Sequence, residues 1–405
     1  MAQVAILGAG MVGICTALAL QERGHDCVVV DRRPPGSETS YGNAGIIQAE
    51  VVEPYALPAN PLAMLRMALG WKNAVALHWP SLPRQLPALY SYWRSSSGTT
   101  LGKVIPLWHR LILEAVPRHD ALIKAAGAGD LIRTRGYWEL HATGAGLAAA
   151  LLDAERRKRR YGIDFEAADS GMLARAEPTL RTALPGAIHW TAPWTCVAPG
   201  ELVTAYADLF RTRGGRIVQA DAAPLAQSGR GWRVAGEAVE HAVVALGPWS
   251  PTLLKGLGYR VPMVRKRGYH LHYGCDDGPS RPMLLADHSV VLSPMRAGLR
   301  IATAAELSVG SPPAAYPGQL ARGEAAARSL FRFGKAVEDS AWSGTRPCLP
   351  GMLPLVCKAP RHAGLWFHFG HGHQGFTLGP VTAERLARAF DGDIGAVEGL
   401  DGGLS

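Results

Sequence analysis

The feature that most limits what this chain can become is Gly8-x-Gly10-x-x-Gly13. It stands between a short apolar run, Val4 to Leu7, and a stretch of helical composition, Ile14 to Arg23. An unbroken apolar run of that length reads as a buried parallel strand, and Gly24 suits a helix C-cap. Cys27 to Val30 is a second apolar run, closed by Asp31. Strand, tight turn, helix and strand make one βαβ unit in which the glycines have separate duties. Gly8 permits the turn, Gly10 lets the backbone approach a pyrophosphate, and Gly13 lets helix and strand pack closely. The helix start at Met11 and Val12 offers N–H groups and a positive dipole end to phosphate. Asp31 stands where an acid would bond a ribose hydroxyl. The pattern predicts dinucleotide binding. A glycine-rich turn in another fold is the rival reading, and the agreement of strands, helix and acid argues against it.

With 405 residues, the chain is long enough for two domains, interleaved in sequence. Its net charge of +9 suits anionic lipid, nucleic acid or a carboxylate substrate, and charge alone does not choose. Cys15, Cys27, Cys196, Cys275, Cys348 and Cys357 form no Cys-x-x-Cys pair, so they read as reduced thiols of a cytoplasmic enzyme. The start lacks a basic segment before its apolar run, and no uninterrupted apolar stretch reaches the ~20 residues of a membrane-spanning helix.

Residues 54 to 117 are rich in proline and hold Trp71, Trp79, Trp93 and Trp108; short helices broken by Pro80, Pro83, Pro87 and Pro106 are expected. Within them, Ala63 to Leu69 suits either a lid over a pocket or a membrane-surface element. Gly136 to His141 alternates like a strand. The helix over 147–160 ends in the basic run Arg156 to Arg160, read as a solvated helix end, with anionic lipid as the alternative. Glu201 to Arg213 is a further helix and Val243 to Leu246 a buried strand. Residues 261–306 read as antiparallel strands, Leu365 to Phe369 as a strand, and Val381 to Phe390 as a helix.

The glycine fingerprint does not by itself separate NAD from FAD. Arg32 and Arg33 would suit the extra phosphate of NADP, but Asp31 would repel it. A second strand end at Ala245-Leu246-Gly247 and a glycine-rich strand-to-helix turn at 370–380 point to a cofactor touched at three distant places, which favours extended FAD.

Six segments in one order then carry a resemblance. They are the fingerprint; Thr39-Ser40-Tyr41-Gly42-Asn43-Ala44-Gly45; Pro199-Gly200; Arg267-Gly268-Tyr269 with Gly298-Leu299-Arg300; Gly344-Thr345-Arg346-Pro347; and Gly370 to Pro380. Together they resemble the D-amino-acid oxidase superfamily of FAD-dependent oxidoreductases, most closely the bacterial D-amino-acid dehydrogenase small-subunit type. The resemblance implies an α/β fold: a Rossmann-like FAD-binding domain over 1–50, 197–250 and 338–405. An interleaved antiparallel-sheet substrate domain, flanked by helices, would take 51–196 and 251–337. It implies oxidative deamination of a D-amino acid or cyclic imino acid, by hydride transfer from the α-carbon to flavin N5, with electrons passed to a quinone or other acceptor. Arg346 would bind the substrate carboxylate, Tyr269 would assist it, and His373 would stand near the flavin, whereas Arg300 reads as structural. FAD would be held by the fingerprint, Asp31, Arg32, Arg33, Ser40, Asn43, Ala44, Gly45, Ala223, Ala245, Gly247, Trp249, Gly344, Arg346, Gly372, His373, Gln374, Gly375, Phe376 and Thr377.

Departures from the family pattern are Pro350-Gly351 for the usual Pro-Asp, Cys357 where glycine is common, and Ala223 where valine packs near the adenine. Cys348 is offset from the position that carries covalent flavin in the sarcosine-oxidase branch, so FAD is expected to be non-covalent. His368, His371 and His373 lack a carboxylate or cysteine at ligand spacing, so no metal is expected. The expected partner is a small molecule and not nucleic acid. The location is cytoplasmic, with peripheral contact on the inner face of the membrane left open. An oxygen-using oxidase of the same fold, a soluble NAD-dependent dehydrogenase and a non-catalytic FAD-binding subunit are the remaining alternatives.

Overall fold

The computed structural model describes every residue except 61, 63, 65, 67–72, 224, 311 and 403–405. The run from Ala63 to Leu69 therefore lies mostly outside the described residues, as does Trp71.

Two large sheets carry the fold. The first has six strands, in the order Arg216–Gln219, Asp26–Asp31, Gln3–Leu7, His241–Val244, Leu365–Phe369 and Leu355–Lys358. The first five run parallel and the last pairs antiparallel at the edge. The central strands are buried on both faces, which is why they read as unbroken apolar runs. The helices Met11–Glu22 and Gly375–Phe390 pack together, and a Cβ at Gly379 would stand 2.8 Å from Met11 Cγ. A small three-stranded sheet over 226–239 seats Trp232 against the strands of the first sheet.

The second sheet has ten strands. Its order is Val75–Leu77, Ala305–Leu307, Val264–Tyr273, Gly298–Thr303, Val290–Met295, Met283–Leu285, Tyr137–Leu140, Gly186–Trp190 and Phe165–Asp169, with Trp342–Cys348 alongside Val264–Tyr273. Most ladders are antiparallel, as expected over 261–306. Two are parallel, Met283–Leu285 with Tyr137–Leu140 and Ala305–Leu307 with Val75–Leu77. Their partners come from distant parts of the chain, so no hairpin dictates direction. Trp342–Cys348 lies in the segment grouped by sequence with the dinucleotide unit. It is nevertheless paired over its full length with Val264–Tyr273 of the second sheet.

The prolines do not break the helices of the 54–117 region. Pro87 lies inside Leu82–Ser95, and Pro106 and Pro117 lie inside the 28-residue helix Gly98–Ala125. Each proline forfeits one backbone bond. The long helix persists because Val104, Leu107, Trp108, Leu111, Ile112, Ala115, His119 and Ile123 form one buried face. The C-terminal helix likewise begins at Gly375, ahead of the expected Val381, and contains Pro380. Pro380 cannot donate to the carbonyl of Phe376, four residues back. That carbonyl instead accepts His119 Nε2–H at 2.9 Å.

The basic helix end is satisfied locally. Arg156 grips Glu53 with two bonds of 2.7 Å, Arg157 pairs with Asp153 and Lys158 with Asp164. Gly162, in the left-handed region, closes the helix. These charges are occupied by neighbours, in keeping with a solvated helix end.

Candidate active site

Both sheets border one cavity of ≈ 740 Å³, a size typical of small-molecule sites. At one end stands the glycine turn. Gly8 has φ +116°, and a Cβ there would lie 2.5 Å from Ala245 O; at Gly13 a Cβ would lie 1.9 Å from Gly8 O. Neither position admits a side chain, so turn, helix and the end of the His241–Val244 strand are locked together. The first intrahelical bond is Ile14 N–H to Gly10 O, and Met11 N–H donates to Ser40 Oγ at 3.0 Å. Val12 and Gly13 N–H remain outside the helical ladder, as a phosphate cradle requires. The Asp31 carboxylate accepts from Ala9 N–H (2.7 Å) and Arg33 N–H (2.9 Å), so it also braces the turn. Arg32 lies over the Trp249 ring at 4.7 Å, beside Ala223 and Gly247 on the cavity wall. The side chain of Arg33 is exposed, faces Glu38 and does not line the cavity.

The loop 39–45 forms a second wall. Asn43 Oδ1 accepts from Gly45 N–H, and Gly45 takes φ +75° because a Cβ would meet Cys196 O at 2.2 Å. Ser293 Oγ–H donates to Ala44 O, and Arg300 Nη1 donates to the carbonyls of Tyr41 (2.8 Å) and Asn43 (2.5 Å). The loop is therefore held from the ten-stranded sheet.

The third wall is the turn Gly370–Gln374 and the helix start behind it. Leu378 N–H to Gln374 O is the first helical bond, leaving the N–H groups of Gly375, Phe376 and Thr377 outside the ladder. Gly375 and Phe376 line the cavity. Two helix N-termini thus border it, a field that favours anionic groups. Gln374 and Thr377 do not line it; they hold Gln48, which does. His368 and His371 share Thr382 Oγ1, at 2.8 and 2.9 Å, and His368 Nδ1 also meets Thr16 Oγ1. Burial pushes His371 down to about 3 and His368 well below the usual histidine range. His373 packs on Tyr55, ring centroids 5.0 Å apart; burial, with Arg346 and Lys266 nearby, keeps it neutral. Among the described residues no group of three or more His, Cys, Asp or Glu could hold a metal ion.

Arg346 lies on the second sheet. Its Nη1 and Nη2 donate to Ala304 O (2.5 Å) and Thr303 O (3.2 Å). No carboxylate of the described residues forms a salt bridge with it, and burial lowers its pKa. The guanidinium remains a cation on the cavity wall. Its strand partner is Lys266, and Gly268 makes room for it: a Cβ there would lie 2.6 Å from Nη2. Tyr269 is not brought together with Arg346. Residues alternate faces along a strand, so Tyr269 points to the opposite face. There its hydroxyl donates to Glu306 at 2.6 Å and accepts from Arg267. Tyr269 nonetheless borders the cavity.

Gln48, Tyr55, Gly268, Trp342, Leu284, Val291 and Ala302 also line the cavity, and sequence reasoning gave them no role there. Gln48 had a usable signal, since it closes the loop that begins at Thr39. For Leu284 and Val291 there was none, because an apolar strand residue looks the same whichever wall it faces.

The residues fit FAD. Gly8 and Gly13 exclude side chains within the turn, Gly10 carries none where a pyrophosphate would approach the cavity wall, Asp31 and Ala223 line the end where a nucleoside would lie, and the glycine turn at 370–375 borders the far end. Comparisons with known proteins agree. Residues 3–389 match the DAO family, described as FAD dependent oxidoreductase. The chain is 30% identical to a D-amino acid dehydrogenase of Cereibacter sphaeroides, over 99% of this chain and 94% of that one. It is 28% identical to a D-amino-acid oxidase of Bradyrhizobium diazoefficiens, over 96% and 95%. The fold is similar to that of glycine oxidase from Bacillus cereus, with TM-score 0.70, 19% identity and coverage of 100% and 99%. It is also similar to iminodiacetate oxidase from Chelativorans sp. BNC1, with TM-score 0.69, 20% identity and coverage of 96% and 95%. By the match over residues 3–389, the chain belongs to the DAO family of FAD-dependent oxidoreductases.

Proposed function

We propose that this enzyme oxidises a D-amino acid or cyclic imino acid at the carbon bearing nitrogen, and that its electrons go to a quinone or other acceptor. The observation that carries the reading is Arg346, a cavity-wall guanidinium with no carboxylate partner among the described residues, resting on two backbone carbonyls. A planar fork so held suits a substrate carboxylate. Stereochemistry rests on the names of the relatives. Bound FAD supplies the hydride acceptor, and the chain's own residues supply position. No acid lines the cavity beside Arg346, and His373 is held neutral, so the amine must enter deprotonated.

FAD is proposed to be non-covalent. Cys348 borders a recess of ≈ 20 Å³ on the other side of the turn 370–373 and does not line the main cavity. Acid precipitation should release all the yellow colour into the supernatant.

Peripheral contact with an anionic membrane is proposed as the route to a quinone. Residues 54–113 contain six Lys and Arg and no acid. Trp79, Leu86, Tyr90 and Trp93 are exposed on or beside the helix Leu82–Ser95, which is fastened through Gln85 and Tyr92. Among the described residues, no helix is long and apolar enough to cross a membrane. Co-sedimentation with anionic but not neutral vesicles is expected; equal recovery with both removes this part of the reading.

The test of the reaction is anaerobic flavin absorbance during titration with D- and L-amino acids, D-proline and sarcosine. Bleaching by D-amino acids or D-proline is expected, with slow recolouring in air. A yellow protein that none of them bleaches removes the assignment.

A further inference from the structure

Arg346 fixes one end of the proposed substrate, and the cavity beyond it has a definite chemistry. The guanidinium rests on the carbonyls of Thr303 and Ala304. Ala302 lies one step back along the same strand. Val291 pairs with Ala302, and Leu284 pairs with Val291. Directly paired residues share a sheet face, and all three line the cavity. They make an apolar row leading away from Arg346. Strand spacings of ~4.8 Å and a rise of ~3.3 Å per residue put Val291 about 8 Å, and Leu284 about 12 Å, from the Ala304 end. These are backbone separations, and the side chains of the row fill part of them, leaving room for a side chain of a few carbons on a substrate whose carboxylate sits on Arg346.

Three acids line the cavity, and all stand at the nucleoside end. Asp31 braces the glycine turn, Glu38 faces Arg32, and Asp221 accepts from Ala223 N–H. Glu139 pairs with Leu284 across the sheet but does not line the cavity. It is taken by Trp190 Nε1–H at 2.8 Å and by His141 at 3.1 Å. Among the described residues, Arg346 is thus the one charged group on the cavity wall near the row.

We infer that Ala302, Val291 and Leu284 form a side-chain subsite that selects a neutral, apolar substrate of a few carbons, open-chain or cyclic. The inference rests on the proposed amine oxidation at Arg346. A charged side chain would lose its hydration against three apolar residues with no counter-charge, whereas each added methylene gains burial.

The test is anaerobic reduction of the FAD-loaded enzyme by D-alanine, D-2-aminobutyrate, D-norvaline, D-glutamate and D-lysine. From D-alanine to D-norvaline the specificity constant should rise about fourfold per methylene. D-glutamate and D-lysine should fall about 100-fold or more below D-norvaline. Val291→Thr keeps the shape and adds a hydroxyl, and should flatten the methylene series. Leu284→Lys, at a half-buried position whose ammonium can reach water, should raise D-glutamate relative to D-norvaline. A flat series, or charged substrates as good as neutral ones, overturns the subsite while leaving the reaction standing. Reduction by none of the five, nor by D-proline, removes both. If Val291→Thr does not fold, the wild-type series and Leu284→Lys still decide.

Discussion

On the proposed function Arg346 holds the substrate carboxylate, and Gly268 is what lets it lie on the cavity wall. A methyl group at Gly268 would stand within 2.6–2.8 Å of Nη2, Cζ and Nη1 of the guanidinium, which two carbonyls pin in place. Gly268→Ala should therefore displace Arg346 and raise the KM for substrate at least about tenfold, at the scale of a lost charge-assisted bond. FAD should still bind; an unchanged KM would mean that Arg346 does not hold the substrate. Arg346→Lys is no mild change, because a point charge replaces a two-pronged fork. It should lower the specificity constant about 100-fold or more in a protein that still purifies yellow. His373 has the opposite character. Burial and two neighbouring cations hold its pKa well below the ordinary value, so it stays neutral from acid to alkaline assay conditions. The reductive half-reaction should show a single limb rising with pH, set by deprotonation of the substrate amine. His373→Gln should keep that limb; a lost or displaced limb would make His373 the titrating group. The place of Arg346 on the cavity wall was legible through the Gly344-x-Arg346-Pro347 segment that carried the family resemblance. The separation of Tyr269 was not, since it depends on which strand lies alongside and hence on which face each residue takes.

At the scale of elements, the first βαβ unit was readable because each part has a local cause: apolar runs for double-sided burial, glycines where no Cβ fits, and Asp31 at the strand end. The helices of 82–125 were not, because proline is locally a breaker and the burial that overrides it belongs to the tertiary structure. The helix Gly375–Phe390 shows the same override. Pro380 strands the Phe376 carbonyl, and His119 satisfies it through Nε2–H, with Nδ1 3.2 Å from Tyr206 Oη. The bond itself would suit a charged ring as well, but burial outweighs it and pushes His119 down to about 4, so the folded ring is neutral at neutral pH. A folded pKa below the unfolded value near 6.5 means the contribution is present above that value. It is lost as pH falls toward 4. Denaturant titrations should show stability dropping by up to about 1.4 kcal/mol per pH unit over that window for each such histidine. His119→Ala should remove one unit of this slope and cost about 1–3 kcal/mol at neutral pH, the scale of an unpaired buried acceptor. An unaltered slope would show that His119 does not titrate with unfolding.

At the scale of the whole molecule, the cavity exists only because the two sheets are held against each other, and Arg300 spans that junction. It is almost fully buried and pulled down by that burial to about 10, so it remains a cation at neutral pH. Its Nη1 bonds two carbonyls of the cofactor-side loop, and its Nε–H donates to His272 Nε2 at 3.0 Å. That bond places the His272 proton on Nδ1, which donates to Glu338 at 2.5 Å. Carboxylate, imidazole and guanidinium form one line ending on the loop that carries Ser40 and Asn43. Sequence could suggest that Arg300 was structural, but not what it holds, since Tyr41 lies 259 residues away. The pairing of Trp342–Cys348 with the second sheet was hidden for the same reason, as nothing within that segment records its neighbours. Arg300→Met should keep much of the packing volume while leaving the Tyr41 and Asn43 carbonyls without their donor. The expected result is an FAD dissociation constant raised about tenfold, read by quenching of flavin fluorescence, with a smaller thermal stabilisation by added FAD. Glu338→Gln, which leaves the guanidinium in place, should change the constant much less. If Arg300→Met folds and binds FAD as tightly as the wild type, the loop is held by its other bonds, those of Ser40 to Met11, Ser293 to Ala44 and Cys196 to Gly45 among them. Arg300 would then serve the core of the second sheet and not the junction.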